Sequence, residues 1–142
     1  MYEIGQAIAE QTKTKSASVI LAPTMCIYRH PLGGCNFESF SEDPFLIGKL
    51  ASAYVKGVQS RGIGVTPKHF VGRLLSKLYL IGFPACLILI TYNTVIAQRA
   101  LCEVYLLPFQ MVVRDADPWC MIVLIIWLIA STAIYRESSS KV

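Results

Sequence analysis

Hydrophobic positions follow helical and strand-like rhythms in alternation until residue 72, where the alternation gives way to long apolar runs. Residues 2–15 place Ile4 and Ile8 one turn apart with polar positions between, which predicts a helix. Ser18–Leu21 (SVIL) is a short apolar run closed by Ala22-Pro23, the pattern of a buried strand. From Thr24 to Asp43 the chain is rich in Pro, Gly, Asn and Ser and reads as loop. A well-marked helix follows. Ser41 or Asp43 can cap it, Pro44 suits its first turn, and Leu46, Leu50, Tyr54 and Val58 share one face at i, i+4 spacing. Gly62 can end it, with Arg61 in the last turn, where a cation favours the helix dipole. Residues 63–66 start a second strand that leads into Lys68-His69-Phe70, and Gln98–Arg114 reads as a further helix. Strand, helix, strand with a continuously apolar first strand points to α/β architecture with a parallel sheet covered by helices. In such folds chemistry gathers at the C-terminal ends of strands. Here those ends are the loop after Leu21 and the pair Lys68-His69.

Two apolar stretches change this picture. Residues 78–98 contain 21 consecutive uncharged positions and residues 118–135 contain 18, each long enough for a transmembrane helix of roughly 17–25 residues. Arg73 and Lys77 before the first, with Arg136 and Lys141 after the second, would suit a hairpin with both ends in the cytoplasm. Gly82, Pro84, Asn93 and Gln98 dilute the first stretch and count against a span. Membrane insertion is therefore the weaker reading.

Composition narrows the class. The 142 residues are 54% apolar and 15% charged, which excludes a disordered chain, a coiled coil or collagen. The net charge of +4 comes entirely from residues 1–77, with nine basic and five acidic side chains, and no basic stripe marks a nucleic-acid partner. A whole (β/α)₈ barrel needs roughly 250 residues, so a chain of this length holds at most part of one. Cys26, Cys35, Cys86, Cys102 and Cys120 include no CxxC pair, and Cys26, His30 and Cys35 fit no zinc module. Buried or incidental thiols are the simpler reading, and no metal or cofactor is expected. The N-terminus lacks a basic start followed by an apolar core, so no signal peptide is expected there. The residues offer no basis for assigning a compartment.

The two strand ends carry a resemblance. Residues 21–63, with the run PLGG-x-NFESFSEDP at 31–44, resemble the N-terminal barrel domain of glycoside hydrolase family 3, the β-glucosidase family. KHFV at 68–71 resembles that family's next strand end, and RALCEVYLLPFQMVVRDADPW at 99–119 its following helix and strand start. Residues 1–71 and 98–120 together make up about two thirds of the chain. The resemblance implies an incomplete (β/α)₈ TIM-type barrel over residues 1–120, interrupted by an apolar insert at 72–97 and followed by a divergent apolar tail at 121–142. It implies a retaining β-glucosidase lineage, hydrolysing terminal non-reducing β-D-glucosyl residues of glucosides or oligosaccharides. Members of the family are often secreted.

The resemblance also assigns site residues. Lys68 and His69 match the pair that hydrogen-bonds the sugar where cleavage occurs, and Cys35 stands at the position of a sugar-binding arginine. A thiol cannot replace a planar cation with five donors. The nucleophilic Asp and the acid/base Glu of the family fall outside the matched residues. The carboxylates that are present have simpler explanations. Glu42 and Asp43 suit a helix start, Glu38 a hydrogen bond that holds its loop, and Asp115 and Asp117 a solvated helix end. Arg29 and His30 are read as structural. No catalytic pair at the required separation of roughly 5–5.5 Å is expected in this chain. The two apolar departures fit translated non-coding or frame-shifted sequence. The rival readings are a two-span membrane protein with a cytoplasmic head and a non-catalytic sugar-binding remnant.

Overall fold

The computed structural model describes residues 1–29, 31, 36–71 and 96–123. Helix α1 spans Tyr2–Thr14, strand β1 Val19–Ile20, helix α2 Pro44–Gln59 and strand β2 Gly64–Val65. A short helix α3 at Gln98–Ala100 runs into a π-helical turn at Leu101–Tyr105, and helix α4 covers Leu107–Ala116. Strands β1 and β2 pair in parallel, Val19 with Gly64 and Ile20 with Val65, and α2 is the crossover between them.

Hydrogen bonding continues past the formal strands. Lys68 N–H donates to Pro23 O at 2.9 Å, and Met25 N–H donates to Lys68 O at 2.7 Å. On the other side of β2, Ile122 N–H donates to Pro67 O at 3.0 Å and Phe70 N–H donates to Ile122 O at 2.8 Å. Residues 120–123 thus lie in the place of a third parallel strand, ending in a bridge between Phe70 and Val123. The Ala22–Pro23, Lys68–His69 and Phe70–Val71 peptide bonds are cis.

Helix α2 is the centre of the core, packed against α1 on one side and α4 on the other. Its N-terminus forms as its sequence predicts. Asp43 is the cap, its Oδ1 accepting from Phe45 N–H at 2.9 Å, and Pro44 occupies the first turn. The buried face keeps Tyr54 and Val58 of the predicted stripe but not Leu46 and Leu50. Ile47, Ala51, Val55 and Val58 are fully buried, whereas Leu46 is 43% exposed and Leu50 only half-buried. A helix with neighbours on two sides buries a wider face, here centred one position after the predicted one. Removing Ile47, Val55 and Val58 from water contributes about 1.5–3 kcal/mol each.

Helix α1 approaches α2 backbone to backbone. A Cβ on Gly5 would stand 2.5 Å from Tyr54 O, and one on Gly57 would collide with Tyr2 O. Past the end of α2, Gly62 turns the chain at φ +73°. Arg61 lies beyond the helix and faces Glu10 of α1 at 3.7 Å instead of the last turn.

Two further expectations need correction. The SVIL run is not a buried strand: Val19 is 43% and Leu21 64% exposed. Among the described residues β1 pairs only with β2. The single helix expected at 98–114 is broken, because Leu106 N–H reaches back five residues to Leu101 O at 2.8 Å before Pro108 begins a new turn. Cys102 and Cys120 are exposed free thiols and Cys26 is half-buried, so burial explains none of these three fully. Cys35 and Cys86, most of the 78–98 stretch and residues 124–135 of the second lie outside the described residues. Among the described residues no helix is long and apolar enough to cross a membrane.

Candidate functional site

The C-terminal ends of β1 and β2 and the returning loop at 36–41 meet around Thr24. Its backbone bridges Lys68 on one side and Ser39 on the other. The loop reaches this position because Asn36–Glu38 coils into a single 3₁₀ turn. Tyr28 then anchors it twice, its hydroxyl donating to Ser39 O and its N–H donating to Ser41 O at 3.1 Å. Residues far apart in sequence are thereby placed in one layer.

Within that layer Glu38 is the hub. Its Oε2 accepts from Thr24 Oγ1 at 2.8 Å and lies 3.1 Å from Lys68 Nζ. Thr24 is buried, and the Lys68 and Glu38 side chains are 19% and 27% exposed. Water competes less for such a pair than for a surface ion pair, which contributes at most about 1 kcal/mol. The loop-holding hydrogen bond expected of Glu38 is present, and Lys68 is its second partner. An ammonium has three N–H donors, so one carboxylate leaves it capacity for a hydroxyl ligand.

His69 takes a different position. It lines a small cavity of about 10 Å³, room for roughly one water, together with Met25, Arg29, Tyr105 and Phe109. Arg29 closes one wall, its guanidinium 5.0 Å from the centre of the Tyr105 ring and donating to the Tyr105 hydroxyl at 2.9 Å. Tyr105 is the last residue of the π-helical turn, and such insertions often re-aim a side chain at a functional site. Phe70 and Phe109 meet edge to face at 5.3 Å and brace the strand end from below. Lys68 and His69 therefore leave one strand end toward Glu38 and toward this cavity. Cys35 lies outside the described residues.

Three further carboxylates are engaged elsewhere. Asp43 caps α2, Glu103 pairs with Arg99 at 3.0 Å, and Asp115 pairs with Arg114 at 2.7 Å. The Arg114 hydrogen bond holds the Asp115 carboxyl below its ordinary pKa. Asp117 sits in left-handed backbone at the end of α4. Among the described residues no group of three His, Cys, Asp or Glu side chains could hold a metal ion. Sequence reasoning missed Thr24 and the contact between Arg29 and Tyr105. A threonine directly after a strand-ending Ala-Pro was the available signal for Thr24. Nothing in the sequence links residues 29 and 105.

Comparison with known proteins agrees with this architecture. The profile of the Glycosyl hydrolase family 3 N terminal domain matches residues 1–125. Beta-glucosidase B of Emericella nidulans is 49% identical over 115 residues, which cover 81% of this chain and 12% of that protein. The beta-glucosidase of Kluyveromyces marxianus, solved in complex with glucose, superposes with a TM-score of 0.77 at 41% identity, covering 87% of this chain and 13% of that one. Beta-glucosidase 3B of Thermotoga neapolitana, in complex with alpha-D-glucose, gives 0.75 at 39% identity, covering 86% and 16%. The chain thus spans about an eighth of the length of the curated relatives it matches.

Proposed function

The chain belongs to the glycosyl hydrolase family 3 N-terminal domain family, and from that premise we propose that it is a segment of a β-glucosidase barrel whose strand end meets a terminal β-D-glucosyl unit. Lys68 and His69 are the proposed sugar-contacting side chains. Lys68 offers an ammonium already oriented by Glu38, and His69 an imidazole at the same strand end, near Tyr105 and Arg29. Hydrogen bonds from charged donors to hydroxyls suit a sugar, whose ring presents acceptors and donors on every side. The observation that carries the reading is the placement of both residues at one parallel strand end, where barrel enzymes bind their substrates.

The same reading assigns no catalytic carboxyl pair to these residues. Retaining hydrolysis requires a nucleophile and an acid/base across the glycosidic bond. The described carboxylates Glu38, Asp43, Glu103 and Asp115 all serve ion pairs or caps. Residues 1–71 and 98–120 are the proposed family-type barrel, with 72–97 an apolar insert and 121–142 a divergent tail.

The test is direct. The 142-residue chain should bind glucose weakly, seen as shifted amide resonances, and Lys68→Ala or His69→Ala should weaken that binding while leaving it measurable. It should release no product from an aryl β-glucoside above the buffer rate, and Cys35→Arg should not change that. Turnover that disappears with Lys68→Ala would reveal a complete catalytic site in this chain. The mature transcript tests the boundaries: one lacking the coding sequence for 72–97 supports an insert, and one reading through in frame refutes it.

A further inference from the structure

We propose that Glu38 is a positioning residue that fixes the Lys68 ammonium at the strand end through an oxygen it shares with Thr24. The inference deepens the sugar-binding reading above and rests on it for the identity of the ligand. Lysine has four rotatable bonds, and an ammonium unrestrained at a strand end would sample many positions before meeting a hydroxyl. Holding it beforehand removes that ordering cost from binding.

Three features of the structure supply the restraint. The first is the 3.1 Å contact between Lys68 Nζ and Glu38 Oε2. The second is the hydrogen bond from Thr24 Oγ1 to the same oxygen at 2.8 Å, which ties the carboxylate to a buried residue in the segment that follows β1. The third is the double bridge of Thr24, to Ser39 beside Glu38 and to Lys68 itself. Each member of the triad is thus held by backbone next to it, and none depends on a mobile side chain alone. A carboxylate serving only to hold its loop would have sufficed with the Thr24 bond. Its orientation onto an ammonium at the strand end is what assigns the second role.

The experiment uses the full chain and separates the pair from the sugar. In the wild type, a water-soluble carbodiimide should join Glu38 to Lys68 through an amide, taking up the released water as its urea, and linked peptides should appear by mass spectrometry. Glu38→Gln should raise the rate of reductive methylation at Lys68 by about threefold, with the exposed Lys13 and Lys56 unchanged. Absence of the cross-link together with an unchanged methylation rate overturns the pairing. Glucose affinity then tests positioning. Glu38→Gln should weaken it about tenfold when Lys68 is present and leave it unaltered in a Lys68→Met background. Equal weakening in both backgrounds means that Glu38 acts on the loop alone, and the proposal falls. If wild type binds no glucose, the sugar reading falls, while cross-linking and methylation still decide whether Glu38 holds Lys68.

Discussion

Tyr54 is 8% exposed in the α2 face, and burial raises its phenol pKa above the ordinary 10.0. The neutral phenol is therefore favoured in the folded chain. Its contribution to stability is fully present below pH 10.0, where the unfolded chain also keeps its proton, and is lost as pH rises through the higher folded value. Stability should fall above pH 10 with a component that Tyr54→Phe removes, and ultraviolet titration should show one phenol ionising late. A Tyr54→Phe variant with the same alkaline slope as wild type would refute this. At this scale the sequence was informative where a residue acts on near neighbours. Asp43 caps the turn it starts, and Glu38 bonds a residue fourteen positions away in the same loop segment. It was silent on Arg29 and Tyr105, because their contact spans 76 positions and needs both the strand end and the π-turn to be in place.

At the scale of elements, α2 is held at both ends by single side chains. Asp43→Ala removes the bond to Phe45 N–H and should lower stability by about 1 kcal/mol, read from the denaturant midpoint. At the other end, the Gln59 amide donates to Asp117 O at 3.0 Å and accepts from Trp119 N–H at 3.0 Å. It pins the turn that leads from α4 into residues 120–123. Gln59→Leu should speed amide exchange at Trp119 while leaving Ala51 and Val55 protected, and uniform loss of protection would show that the clamp serves the whole core. Helix positions were readable because capping residues and apolar spacing recur over sixteen residues in α2. The rotated buried face was not, because it reflects packing against α1 and α4 together. The π-turn was hidden for a related reason: one inserted residue shifts the helical phase too little to appear in a short apolar pattern.

For the whole molecule, the described barrel portion is a narrow sheet with α2 packed on β2 and exposed apolar side chains. Val19, Leu21, Trp119 and Val123 are 43%, 64%, 59% and 62% exposed; Val19 and Leu21 lie in and just after β1, Val123 in the 120–123 segment across β2, and the Trp119 ring beside Val19 over Gly64. Exposed strand edges bearing apolar side chains recruit further strands, since their unpaired N–H and C=O groups remain available. The sequence MIVLIIWLIA at 121–130 adds a run with high β-propensity, no charge and no proline. The purified chain should therefore self-associate as its concentration rises, with apparent mass by light scattering exceeding that of the 15.8 kDa monomer. Leu21→Lys places a charge at the end of β1, at a residue already largely in water, and should shift the association to higher concentration without changing the melting temperature. Charges at such edges disfavour strand addition while costing the fold little. An unchanged association curve for Leu21→Lys would locate the contact at the 120–123 side instead. A wild-type chain that stays monomeric across the whole range would show that these side chains are covered in solution.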